Sequence, residues 1–139
     1  MRRYLYYKRT IGASMEKVRL GRTNLIVTKL GWGGIPIQRV DEREAVSVIR
    51  AMIEMGVDLL DTARAYTNSE HRVGLALQRA GRPVILSSKS TVRSSKTYND
   101  VLESLKQMKV KKSIFITCTA SPALKNMKRL WLPEGATKG

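Results

Sequence analysis

A chain of 139 residues with 42% apolar residues, ten glycines and four prolines can bury a core of its own as one domain, which excludes disorder throughout. No apolar run reaches the roughly 18 residues of a membrane span, and Met1-Arg2-Arg3-Tyr4-Leu5-Tyr6-Tyr7-Lys8-Arg9 is basic but lacks the apolar stretch and cleavage site of a signal peptide. A single cysteine, Cys118, excludes an intrachain disulfide or a cysteine-based metal cluster, so we expect a cytoplasmic protein away from membranes with no metal site.

In chain order, residues 1–15 read as a basic extension and Met15 as a plausible internal start. Val18-Arg19-Leu20 and Leu25-Ile26-Val27 flank Thr23-Asn24, and because Asn tolerates a left-handed turn this predicts a short β-hairpin. Lys29-Leu30-Gly31-Trp32-Gly33-Gly34 reads as a strand with a glycine-rich exit. Its glycines allow close backbone approach to a ligand, although turn geometry accounts for them equally well. Asp41 with Glu44 predicts a capping box. Ala45, Val48, Ile49, Met52 and Ile53 follow at helical spacing, and Gly56 closes the run.

Val57–Leu60 is the next strand. Ser69 can cap a second helix with Val73, Ala76, Leu77 and Ala80 inside, closed by Gly81. Val84–Leu86 predicts a third strand. A helix from about Thr97 follows, with Val101, Leu102, Leu105 and Met108 on one face. Ile114-Phe115-Ile116 is a fourth strand, and Pro122 can open a last helix. Strands alternating with helices of this length imply right-handed βαβ units and a parallel sheet. There are about four such units, whereas a complete (β/α)8 barrel takes about 250 residues. The expected fold is therefore α/β: a β-hairpin followed by part of a (β/α)8 TIM barrel.

Active groups in parallel α/β folds collect at the carboxyl ends of strands. Asp61 ends one strand, Tyr66 follows in a loop, and Lys89 ends the next strand. Neighbouring strands lie about 4.8 Å apart, so Asp61 and Lys89 can pair. A lysine held in that way eases loss of the Tyr66 phenolic proton, and the tyrosine can then protonate a carbonyl oxygen as hydride reaches the carbon. The same spacing also fits a strand-end ion pair beside a packed tyrosine. Trp32 suits either a substrate pocket or packing at the barrel mouth. His71 reads as a surface residue of the second helix.

The chain resembles the aldo-keto reductases. The resemblance covers about residues 17–139 and lies in Leu20-Gly21-Arg22-Thr23, Leu30-Gly31-Trp32-Gly33-Gly34, Asp61-Thr62-Ala63-Arg64-Ala65-Tyr66, Ser69-Glu70 and Lys89. It implies the N-terminal half of a (β/α)8 barrel, residues 16–139, and NADP(H)-dependent reduction of small aldehydes or ketones in the cytosol. Of the family's Asp, Tyr, Lys and His tetrad it assigns Asp61 to orient the lysine, Tyr66 as general acid and Lys89 to tune it. Gly33 and Gly34 become the candidate cofactor-binding residues. At the histidine position the ungapped alignment puts Thr119, followed by Ala120. The family's later strands, which carry most NADP contacts, have no counterpart here. The expected state is a chain inactive or nearly so by itself.

The charge of +15 is concentrated at the two ends. Residues 1–29 hold eight Lys/Arg against Glu16 alone, and residues 90–139 hold ten against Asp100, Glu103 and Glu134. Such flanks could attract nucleic acid. No basic stripe interleaved with aromatics accompanies them, and solvated basic faces are the preferred reading. Open sheet edges would instead favour self-association or a partner chain.

Overall fold

The computed structural model describes residues 15–90, 96–111 and 115–118, the side chains of 96, 97 and 115–118 excepted. Ile114, Thr119, Ala120, Pro122 and residues 1–14 lie outside the described residues. The elements run β1 (Lys17–Arg19), β2 (Ile26–Thr28), β3 (Trp32–Gly33), a 3-10 turn (Pro36–Arg39), α1 (Glu42–Glu54), β4 (Leu59–Asp61), α2 (Ser69–Leu77), β5 (Ile85–Ser90), α3 (Lys96–Gln107) and β6 (Phe115–Cys118). β1 and β2 form an antiparallel hairpin, with Lys17 opposite Thr28. β3, β4, β5 and β6 form one parallel sheet in chain order, as consecutive right-handed βαβ units require.

The hairpin turns where the sequence predicts, but through a different residue. Gly21 takes the left-handed conformation (φ 54°), and Asn24 does not. Thr23 Oγ1 donates to the Leu20 carbonyl at 2.6 Å and so closes the loop without help from Asn24. The hairpin is fastened to the sheet by Asp58, just before β4. Its Oδ1 accepts from the Thr28 amide at 2.6 Å, and its Oδ2 lies 2.8 Å from Lys17 Nζ. Its own amide donates to Thr28 Oγ1 at 3.1 Å.

Helix α1 begins where Asp41 accepts a bond from the Glu44 amide at 2.7 Å, satisfying one of the open N-terminal donors. Ala45, Ile49 and Ile53 are fully or almost fully buried, each isoleucine contributing roughly 2–3 kcal/mol of apolar burial. Val48, expected on the same face, is 42% exposed. The buried stripe of α1 follows i, i+4, i+8 and leaves its flank outside. Helix α3 behaves alike: Val101, Ser104 and Met108 face inward at i, i+3, i+7, and Leu102 faces out. The α1 stripe and Met108 meet Trp32, Leu60 and Leu86 from the sheet in one core. Trp32 is thereby a packing residue.

α2 and α3 meet at Gly74. A Cβ there would stand 2.5 Å from the Gln107 carbonyl oxygen and 2.8 Å from the Met108 carbonyl carbon, so only glycine permits this approach. Among the described residues, no helix is long and apolar enough to cross a membrane.

Candidate active site

β4 and β5 build the site, and their ladder does not stop with the strands. Asp61 lies opposite Ser87. Beyond it the Thr62 amide donates to the Ser87 carbonyl at 2.8 Å, and the Arg64 amide to the Lys89 carbonyl at 3.0 Å. The loop after β4 is thus held alongside β5 for several residues, which brings the Tyr66 segment over Lys89. Lys89 is the penultimate residue of a strand that reaches Ser90, so it stands two residues beyond the Asp61 level. Its long side chain spans that offset.

Lys89 Nζ donates to Asp61 Oδ2 and, at 3.0 Å, to the Thr62 carbonyl. Ser87 Oγ donates to Asp61 Oδ1 at 2.7 Å, so both carboxylate oxygens are engaged. The ammonium lies 5.5 Å from the centroid of the Tyr66 ring, within cation–π range. Lys89 is 19% exposed at its side chain and Asp61 41%. With one partner so open to water, the ion pair contributes about 1 kcal/mol or less to stability. What it supplies is direction: the ammonium is aimed at the tyrosine.

Period-two alternation along β5 would have revealed Ser87, which shares a face with Lys89. The strand's burial alternates along its whole length, with Leu86, Ser88 and Ser90 buried against the helices. The Thr62 carbonyl could not be found from side-chain chemistry at all.

The two candidate glycines differ. A Cβ at Gly33 would meet nothing within 4 Å, and Gly33 is Asp61's register partner. Packing therefore does not require glycine at this position, and the backbone beside the carboxylate is open. At Gly34 a Cβ would stand 2.7 Å from Ser69 Oγ and 3.2 Å from the Asp61 carbonyl oxygen, so packing alone requires glycine there. Ser69 does not cap α2 as expected. Asn68 occupies that position without a side-chain bond, and Ser69 Oγ lies 2.8 Å from Thr62 Oγ1. The serine is fully buried and ties the two strand exits together.

His71 sits on the outer side, its Nε2 3.7 Å from Glu42 Oε2, and takes no part in the site. No group of three or more His, Cys, Asp or Glu side chains placed to hold a metal occurs among the described residues.

The Aldo/keto reductase family profile matches residues 28–113. Aldo-keto reductase YhdN of Bacillus subtilis (strain 168) is 32% identical over 90 residues, covering 62% of this chain and 26% of YhdN. YqkF, an uncharacterized oxidoreductase of the same organism, is 32% identical over 78 residues, covering 55% of this chain and 25% of YqkF. This chain thus spans about a quarter of the length of the curated relatives it matches.

Among solved structures, PA4992 from Pseudomonas aeruginosa, a candidate aldo-keto reductase, superposes with a TM-score of 0.70 at 25% identity, over 85% of this chain and 53% of that one. The holo form of an aldo-keto reductase from Bacillus halodurans superposes with a TM-score of 0.65 at 29% identity, over 73% of this chain and 39% of that one. The expected fold holds: the hairpin and parallel βα units are part of a (β/α)8 barrel, with no closed barrel among the described residues. The chain belongs to the aldo/keto reductase family.

Proposed function

We propose that this chain carries the proton-donating side of a site for NADP(H)-dependent reduction of small aldehydes or ketones, and that it is inactive or nearly so by itself. The observation that carries the reading is the Lys89 ammonium, fixed by Asp61 and the Thr62 carbonyl and held over the Tyr66 ring. Tyr66 gives its phenolic proton to the carbonyl oxygen, and the positive charge of Lys89 favours the phenolate left behind. Asp61 keeps the ammonium in place. NADPH, when bound, supplies the hydride, and Gly33 is the residue here that would lie against it.

The inactivity has two supports. The resemblance puts Thr119 where the family has histidine, and a threonine hydroxyl does not titrate near neutral pH as an imidazole does. The chain also matches only part of its relatives' length. A lone cysteine and the family's habit favour the cytoplasm.

NADPH oxidation with a panel of aldehydes tests the claim; robust turnover by this chain alone refutes its inactivity. The roles are tested in a hybrid, with residues 15–118 replacing the matching part of YhdN. Tyr66→Phe should lower its kcat by about 10²–10⁴-fold, and an unchanged kcat refutes the tyrosine's role.

A second reading is favoured by the only partly buried face of β4 and β5 that carries Leu59, Ile85 and Ser87: association of this chain, through its sheet, with another copy.

A further inference from the structure

The catalytic pair sits on two separate segments, Tyr66 on the loop after β4 and Lys89 on β5. Backbone bonds align these segments, but one buried side chain also touches both. Glu70, in the first turn of α2, is 5% exposed at its side chain. Its Oε1 accepts from Ser88 Oγ at 2.5 Å, and its Oε2 lies 2.8 Å from Arg64 Nη1. Ser88 immediately precedes Lys89, and Arg64 stands two residues before Tyr66. On the other side of the tyrosine, its carbonyl accepts from the Ser69 amide at 2.8 Å. One carboxylate therefore bridges the side chain of Ser88, next to Lys89 on β5, and that of Arg64 in the loop that presents Tyr66.

A buried carboxylate is costly to desolvate, and an apolar side chain of similar volume often serves stability as well or better. What an apolar residue cannot do is grip a strand hydroxyl and a loop guanidinium at once, in two directions fixed by hydrogen bonds. Both Glu70 oxygens are used in this way, one for each segment. Such a group resembles the outer ligands that orient a site without touching the reacting atoms.

We infer that Glu70 is a positioning residue: by joining Ser88 to Arg64 it sets the Lys89 ammonium over the Tyr66 ring. The geometric claim stands on the contacts above, and its catalytic consequence rests on the carbonyl-reduction reading. The backbone bonds bring the segments together, and Glu70 fixes the offset between them.

The direct test needs neither cofactor nor substrate. The full chain is labelled with ¹³C-lysine, and the Lys89 ε-methylene signal is assigned by its loss in Lys89→Met. Over an aromatic ring this signal is shifted upfield. In Glu70→Gln and Glu70→Ala it should move back toward the cluster of solvated lysines, while circular dichroism shows the helices retained. If Glu70→Ala does not fold, Arg64→Ala breaks one arm of the bridge and should show the same loss of shift. An upfield signal that persists in folded Glu70→Gln and Arg64→Ala overturns the proposal, as does a Lys89 signal that is unshifted in the parent chain.

The catalytic consequence is read in the YhdN hybrid. Glu70→Gln should lower kcat about tenfold or more with KM for aldehyde little changed, and an unchanged kcat overturns that consequence. If the hybrid is inactive while the Lys89 signal responds to Glu70, the carbonyl-reduction reading fails and the positioning role stands.

Discussion

Thr67 has a φ of 43° immediately after Tyr66. A β-branched residue in the left-handed region costs about 1–2 kcal/mol, because its Cβ crowds the following carbonyl oxygen. Its side chain is exposed, and its hydroxyl makes only a 3.3 Å bond to Asn68 Oδ1, so little offsets the strain. Thr67→Gly should therefore raise stability by about 1 kcal/mol in urea unfolding; no gain would mean that the loop is not strained there.

Asp58 makes the pH-dependent prediction. Burial alone would raise its carboxyl pKa, but the hydrogen bonds from Lys17 and Thr28, with the Lys17 charge, outweigh burial and hold it below the usual value. A depressed folded value means that the stabilisation is complete above the unfolded value of about 3.9 and is lost as pH falls through the folded one. Asp58→Asn should cost about 1–2 kcal/mol at pH 7, with Lys17 half-exposed and its share discounted accordingly. The gap between parent and variant should narrow at pH 3; a gap of constant size across that range would assign the effect to shape and not to charge.

Asp61, Tyr66 and Lys89 were legible in the sequence because their chemistry is carried by side chains at strand ends. Asp58 and Glu70 were not given a role, since a carboxylate's partners come from other elements and leave no local spacing.

At the scale of elements, helix existence followed from apolar period, with the expected cap present at α1 but not at α2, where Ser69 is buried instead; the other errors lay in which residues of a stripe face inward. Val48 and Leu102 flank their stripes and are exposed, because one contact face of a helix against a sheet is narrower than its apolar count suggests. The glycines show what sequence leaves undetermined: the same residue type serves approach in one place and open backbone in the next.

Gly34→Ala should destabilise by about 1–3 kcal/mol, through its clash with Ser69 and the Asp61 carbonyl. Gly33→Ala should be neutral or slightly stabilising, since nothing opposes its Cβ and alanine loses less entropy in a strand. Denaturation of the pair checks this, and a large cost at Gly33 would contradict the open face drawn here. Gly74→Ala should cost a similar amount to Gly34→Ala by forcing α2 from α3. Retained stability there would show that the two helices can slide apart without penalty.

At the scale of the molecule, the described residues cover one face of the sheet more fully than the other. Leu60, Leu86, Ser88 and Ser90 are buried on the helix side, whereas Leu59, Ile85 and Ser87 are only partly buried on the other. Parallel sheets are ordinarily covered on both faces, because their strands present apolar residues each way. Among the described residues, β3 and β6 bound the four-stranded sheet, and no described strand pairs with their outer sides. Leu30 and Ile35, either side of β3, are more than half exposed and add apolar surface at the same edge. A partly covered face, two sheet edges and this apolar margin act together among the described residues, and burying them against a second copy would remove all three from water. The net charge of +15 opposes that association, and salt screens the opposition. Light scattering on this chain alone should therefore give a mass above the monomer that rises with protein concentration and with salt. A monomer that persists at high concentration and high salt would mean that the open face is stable in water, and the proposed association would then be wrong.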